Sequence, residues 1–355
     1  MSDLEVRQLR YFVAVAEELH FGRAASRLAM AQPPLSRAIR DIERQLGVRL
    51  LERTTRQVTL TPAGEVLLRE ARTALEAVTA AGHRTQRAGS ATPKLRLAMK
   101  ADYDAGLLPR ILALYQGEEA ALPLELLLGG RGEQVTALRE GRADVAMMPA
   151  PFDERDLDVE PLITEPRLAA VAAVDPLAAH VSLRLSDFVG RVLPDGSPAE
   201  SGGGAASPAA PAPTSAPTSA SAAGPTSAPT STSAAGPTSA AGPSAASGRG
   251  VAGRAPGSAV GAVAPRAGLD LAQIFNLVEL GSIVWFLPAS VARRHPRSGV
   301  AYRVVADLPP STLVVAWPRD SRSPAVAAFV RAAIAVAATA PVMDDADVQP
   351  IVSAR

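Results

Sequence analysis

The chain has 355 residues, which suits two domains with connectors better than one economical core. Its 36 basic and 35 acidic residues nearly cancel, yet residues 1–89 carry a net charge of +4 and residues 90–355 a net of −3, so a polyanion should meet the N-terminal end. The absence of cysteine excludes disulfides, a thiol nucleophile and cysteine-ligated zinc, and His20, His83, His180 and His295 show no metal-like spacing.

From Leu4 onward, Leu9, Phe12, Val13 and Ala16 recur at the spacing of one helical face. A second helix is expected over 22–28, burying Ala24, Ala25 and Leu28, with a break at 29–31. The third opens on Gln32-Pro33-Pro34, where proline is tolerated because a first-turn amide has no helical partner to lose. Leu35, Ile39, Ile42 and Leu46 form its buried face, Gly47 is placed to end it, and Ser36, Arg37, Arg40 and Arg44 lie opposite. Two such helices joined by a three-residue turn make a helix-turn-helix, whose second member can enter a major groove. There Gln32 can offer its amide to adenine, Pro33 and Pro34 can touch a thymine methyl, and Arg37 can fork onto guanine or a phosphate. Ser36 and Arg40 suit phosphate or base contacts; an arginine that merely solvates an exposed face is the plainer alternative, strongest for Arg40 and Arg44.

Residues 50–60 read as a short hairpin with a charged tip, a wing that places Arg53 and Arg56 beside the DNA backbone or minor groove. Thr61-Pro62 then caps a helix predicted over 62–89. Leu67, Ala71, Ala74, Val78 and Ala81 run down one face, with Leu68 and Leu75 beside them. So broad a stripe needs a partner, either its copy in another subunit or the chain's own domain.

Residues 8–64 resemble the N-terminal signature of the LysR-type transcriptional regulators, through F-x-x-V-A-E, F-x-R-A-A-x-x-L, A-Q-P-P-L-S-R-x-I-x-x-L/I-E-x-x-L-G, L-x-E-R-x-x-R-x-V-x-L-T and P-A-G. The resemblance implies that Gln32, Pro33, Pro34, Ser36, Arg37 and Arg40 are recognition-helix contacts, Arg53 and Arg56 wing contacts, and the helix after Pro62 the linker that pairs subunits. Ala31 stands where serine or threonine is common, so the recognition helix is expected to lack a side-chain cap, at about 0.5–2 kcal/mol.

Beyond Pro93 the pattern changes. Short apolar strands at 95–99, 122–128 and 144–148 alternate with helices at 105–116 and 133–140, the first of which turns Leu108, Ile111, Leu112 and Tyr115 inward. This is the grammar of an open α/β domain with a parallel sheet covered on both faces. Residues 168–193 read as the crossing into a second lobe, to which a helix at 271–280, a strand at 283–286 and a helix at 289–294 also belong. Residues 311–318 and a helix at 324–338 complete it. L-R-x-G-x-x-D-V-A at 138–146 and L-V-x-x-G-x-x-V-x-x-L-P at 277–288 resemble the effector-binding part of the same regulators, two lobes similar to periplasmic binding proteins around a ligand cleft. That resemblance points to Lys100, Ala101 and Asp102 after the first strand, and Thr164 near the crossover, as effector contacts. A surface role for Lys100, and capping of the following helix by Asp102, are the alternatives.

Residues 196–268 are built from Ala, Ser, Gly, Pro and Thr, with a 12-residue repeat in PTSAPTSASAAG and PTSAPTSTSAAG. Such a segment buries too little apolar surface to offset ordering its backbone, and a flexible loop from the second lobe is expected.

The expected organisation is a winged helix-turn-helix DNA-binding domain at 1–61, a linker and dimerisation helix at 62–89, an effector-binding domain at 94–340 interrupted by 196–268, and a tail at 341–355. The fold class is α/β overall, with an all-α-dominated N-terminal part and a two-lobed effector domain. The chain begins with acidic residues, unlike an export signal, and its most apolar stretches are broken by Glu279, Pro288, Arg331 and Pro341, so a cytoplasmic protein without membrane contact is expected. No dinucleotide, P-loop or nucleophile-elbow motif is present, so neither enzyme activity nor a cofactor is expected. The expected function is sequence-specific transcription regulation controlled by a small-molecule effector. Its expected partners are double-stranded DNA and a second copy of the chain through 62–89, with a tetramer and RNA polymerase as further assemblies open to it. A ligand-independent architectural DNA-binding protein with a vestigial cleft and a cytoplasmic solute-binding protein are the alternatives.

Overall fold

The computed structural model describes residues 4–53, 57–130, 132–203 and 269–340. Arg56, most of the low-complexity segment and the 341–355 tail lie outside the described residues.

Helix α1 (Val6–Glu18) buries Phe12, Val15 and Ala16, while Leu9 and Val13, expected on that face, sit half-buried at its edge. The helix is therefore turned slightly from the predicted orientation. In α2 (Phe21–Arg27) the cap is His20, whose Nδ1 accepts from the Gly22 and Arg23 amides at 3.1 and 3.2 Å. The turn that follows closes with Met30 N donating to Ala25 O across Ala29, at φ 51°. Helix α3 (Gln32–Leu46) buries Leu35, Ile39 and Ile42 to 1% exposure or less, has no side-chain cap at Ala31, and stops at Gly47 with φ 70°. Strands β1 (Leu51–Arg53) and β2 (Val58–Leu60) pair antiparallel. Helix α4 (Pro62–Ala88) starts from Thr61, whose hydroxyl accepts from Gly64 N at 3.0 Å. Glu17 joins three helices by pairing with Arg27 at 2.7 Å and Arg72 at 2.8 Å.

The first lobe contains β3 (Leu95–Met99), α5 (Leu108–Gln116), β4 (Leu124–Leu128), α6 (Glu133–Arg139), β5 (Val145–Pro149) and β6 (Leu157–Glu165). The second holds β7 (Arg167–Ala172), β8 (Ser182–Leu183), α7 (Leu271–Glu279), β9 (Trp285–Pro288), α8 (Ala289–Arg294) and β10 (Val300–Val305). The chain then returns to the first lobe as β11 (Ser311–Pro318) and α9 (Pro324–Ala338). Among the described residues the first sheet has the order β4-β3-β5-β11-β6 and the second β8-β10-β7-β9.

The first sheet is not the parallel sheet expected. Strand β3 pairs parallel with β4 and β5, but β11 runs antiparallel to both β5 and β6. The chain leaves this lobe through β6 and re-enters through β11, and an exit and a return lying side by side must run in opposite directions. The crossing also comes earlier than expected, at Pro166, so that 167–172 is already a strand of the second sheet. Helix α5 starts at Leu108 rather than at residue 105, because Asp102, Ala105 and Gly106 hold positive φ values that no α-helix contains.

Both sheets are covered on two faces. Tyr115 and Phe329 meet edge to face at 5.6 Å beneath α5 and α9, while Leu138 and Ala137 of α6 cover the other side. In the second lobe Phe275 packs edge-on to Trp285 at 5.3 Å, and Phe188, Leu193 and Ala199 fill the opposite face. Residues 196–203, compositionally part of the low-complexity segment, are folded onto this lobe: Ala199 is buried and the Gly202 carbonyl accepts from Arg167. Helix α4 meets the first lobe where His83 Nδ1 donates to Glu140 O at 2.7 Å and Arg87 pairs with Asp144, whose other oxygen accepts from Arg96 N.

Candidate nucleic-acid interface

The recognition face follows from how α3 is held. With Leu35, Ile39 and Ile42 in the core, Gln32, Pro33, Pro34, Arg37 and Arg40 are exposed and Ser36 is half-buried. Six of the residues expected to meet DNA thus lie along one surface and the first turn of one helix. Arg40 Nε donates to Ser36 O at 3.2 Å, which holds its guanidinium along the helix.

Arg53 is placed differently. Its guanidinium lies 4.5 Å over the Phe21 ring and 3.4 Å from Glu43, and burial pulls its pKa down against the opposing effect of Glu43. Arg56 lies outside the described residues.

One backbone position, Leu50, joins all the pieces. Glu43 of α3 accepts from the Leu50 and Leu51 amides at 3.0 and 3.2 Å. The Leu50 carbonyl accepts from Thr61 N at 3.0 Å, and the Thr61 hydroxyl donates to Arg49 O at 2.7 Å. Gly64 leaves room for this carbonyl, since a Cβ there would lie 2.1 Å from Leu50 O. Helix α3, the wing and α4 are thereby fixed to one another. The sequence alone gives Glu43 a place in the family signature but no role, and gives His20 none; a glutamate two turns before a strand and a histidine just ahead of a helix are the local signals for them.

Of the four residues expected to meet an effector, Lys100, Asp102 and Thr164 already have protein partners. Asp102 pairs with Arg294 at 3.1 Å and lies 3.3 Å from His295 Nε2, and buried Asp104 pairs with Arg294 at 2.9 Å. Asp102 does not cap α5; the Leu108 amide points to Asp104 instead, at 3.4 Å. The Lys100 ammonium sits 4.5 Å over Tyr103 and 5.9 Å from the Trp285 ring centre, Ala101 is exposed, and Thr164 shares a 2.9 Å hydroxyl bond with Thr312. The loop after β3 therefore reaches across to α8 and β9, whereas Thr164 stays within its own sheet.

At the hinge, Glu165 is buried and accepts from Ser290 N at 2.7 Å and Ser290 Oγ at 2.8 Å, beside a cavity of ≈ 10 Å³ lined also by Tyr103, Pro149 and Ser311. That is room for about one water. Burial pushes the Glu165 carboxyl above its ordinary 4.5; the Ser290 bonds and Arg293 oppose this and Asp104 reinforces it. A raised folded-state pKa contributes stability below the unfolded value that is lost as pH rises through the folded one. The stability of the native chain relative to Glu165→Gln should therefore fall as pH rises from about 4. Urea unfolding across that range measures it, and a flat difference would refute the assignment.

A winged helix-turn-helix joined by one long helix to a two-lobed α/β domain defines the class as a helix-turn-helix regulator. The comparisons agree. Residues 6–65 match the model of the bacterial regulatory helix-turn-helix protein, lysR family, and residues 88–194 and 263–338 match the LysR substrate binding domain. The chain belongs to the LysR family. It is similar to the HTH-type transcriptional regulator AlsR of Bacillus subtilis (36% identical over 188 residues, 52% of this chain and 62% of AlsR). It is also similar to the HTH-type transcriptional regulator BenM of Acinetobacter baylyi (39% over 174 residues, 49% of this chain and 57% of BenM). The matched part thus spans about six-tenths of the length of these relatives. The crystal structure of CbnR, a LysR family transcriptional regulator, aligns over 94% of this chain and 99% of CbnR at 21% identity, with a TM-score of 0.46. No helix among the described residues is long and apolar enough to cross a membrane.

Proposed function

We propose that this protein is a sequence-specific DNA-binding transcription regulator whose hold on DNA answers to a small molecule taken between its lobes. The observation that carries the DNA half is the exposure of Gln32, Pro33, Pro34, Arg37 and Arg40 on a helix whose other face is locked into the core. These side chains and Ser36 read the major groove, and the wing lies along the flanking backbone. Two copies pair through α4: of the expected stripe, Ala71 is buried against the chain itself, but Val78 remains 44% exposed, Ala81 exposed, and Leu67 and Ala74 half-buried. Pairing there would cover apolar surface that one chain leaves in water and would set two readers on a two-fold axis.

The small molecule enters at the loop 100–107, where it exchanges with the bridges from Asp102 and Asp104 to Arg294. Two observations favour the second reading, an architectural protein with a vestigial cleft: Asp102 and Asp104 already pair with Arg294, and the hinge cavity is too small for a metabolite.

The test is selection of random-sequence duplexes by the purified full chain, followed by thermal unfolding with a panel of metabolites. A two-fold-symmetric motif, and a metabolite that both raises the melting temperature and changes affinity for that motif, are expected. Equal binding to all sequences would refute the specific reader. A motif that no metabolite affects would leave the architectural reading.

A further inference from the structure

We propose that Glu43 positions the wing against DNA, and that Arg53 acts as a strut beneath the wing rather than as one of its phosphate contacts. The inference rests on the DNA-reading role proposed above. Glu43 stands on the inner side of α3, with its side chain 16% exposed, on the helix that carries Gln32 and Arg37. One carboxylate oxygen takes the amides of Leu50 and Leu51, the residues leading into and opening β1; the other faces Arg53 at the end of that strand. Arg53 in turn lies over the Phe21 ring of α2 with its side chain 31% exposed, so its guanidinium is engaged with α2 and α3 at the base of the wing. The wing is a three-residue ladder with no core of its own, since β2 is only half-buried. A two-stranded hairpin of this size does not hold its shape or direction unaided. Leu50, Leu51, Val58 and Leu60 seat its base on the domain core and Thr61 ties it to α4, but the polar link from the helix that carries the base readers is one side chain, Glu43.

Glu43 is in this sense a positioning residue, and its removal should separate two properties that substitution of a base reader would not. Base discrimination by Gln32 and Arg37 persists, while the wing's grip on the flanks of the major-groove site disappears. The experiment uses the full chain and a duplex recovered by selection with the unsubstituted protein. Glu43→Ala is expected to weaken binding about tenfold, to lose hydroxyl-radical protection on the flanks, and to flatten the salt dependence by about 0.9 in log–log slope for each phosphate that the wing no longer neutralises. The ranking of central base-pair variants stays the same. Glu43→Gln, whose carbonyl oxygen can still accept from the Leu50 and Leu51 amides, is expected to restore the flanking protection. If Glu43→Ala does not fold, Glu43→Asp, one methylene too short to reach both amides, supplies the same comparison.

Full flanking protection and an unchanged slope in a folded Glu43→Ala or Glu43→Asp protein would overturn the proposal. So would a parallel decline of flanking protection and base discrimination. If the unsubstituted chain selects no sequence, the DNA-reading role itself fails before any variant is made.

Discussion

Gly64→Ala is expected to destabilise the N-terminal domain by about 3 kcal/mol and to abolish its DNA binding at ordinary temperatures. The added Cβ would lie 2.1 Å from the Leu50 carbonyl oxygen, 3.1 Å from its carbon and 3.0 Å from Leu60 Cδ2. The obstacle is backbone and cannot turn aside as a flexible side chain would. That carbonyl is also the acceptor for Thr61 N, so either α4 shifts or the peptide rotates and gives up its bond. Both responses disturb the segment that Glu43 holds. Gly82, in the same helix with nothing within 4 Å of its added Cβ, provides the contrast. Its replacement by alanine should stabilise by about 0.5–1 kcal/mol, because only the entropic cost of glycine in a helix is removed. Calorimetry of the full chain distinguishes the two signs, and a Gly64→Ala protein that melts like the original would refute the assigned role of the junction.

Gln32→Ala and Arg37→Ala are expected to relax discrimination at their own base pairs by about 1–3 kcal/mol each. Both side chains are exposed on a helix whose position is fixed by three buried residues, so their removal should leave the fold intact. Affinity measured on a set of duplexes, each changed at one pair, separates base readers from phosphate contacts. A reader loses the preference between bases, whereas a phosphate contact weakens every duplex alike and lowers the salt slope. Uniform weakening would move Gln32 or Arg37 into the second group. Arg40, already bonded to the Ser36 carbonyl, should show the smaller change.

Helix α3 was legible in the sequence because its signals are local: apolar spacing, prolines in the first turn and a terminal glycine all act within one element. What escaped notice depends on distant residues. Strand β6 carries Pro161 and several charges and does not look like a strand, yet it is an edge strand and its pairing with β11 shifts register at Leu313 and Val314, opposite Pro161 and Ile163. An edge and a bulge are where a sheet admits proline. The placement of Arg53 depended on Phe21 and Glu43, neither of which its own neighbourhood announces. The partner Arg294 lies 192 residues from Asp102, so spacing along the chain contained nothing about it.

The interleaving of the two lobes has a consequence for synthesis. Strand β11 lies between β5 and β6, but residues 166–310 must be translated before it exists. At about 5–20 residues per second, β5 and β6 spend roughly 7–30 s on the ribosome without the strand that joins them. The N-terminal winged helix-turn-helix, whose core is built wholly from the first seventy or so residues, is complete throughout that interval. A nascent chain thus carries a finished helix-turn-helix head ahead of a first lobe with two open strand edges, and each residue added between β7 and β11 lengthens that exposure.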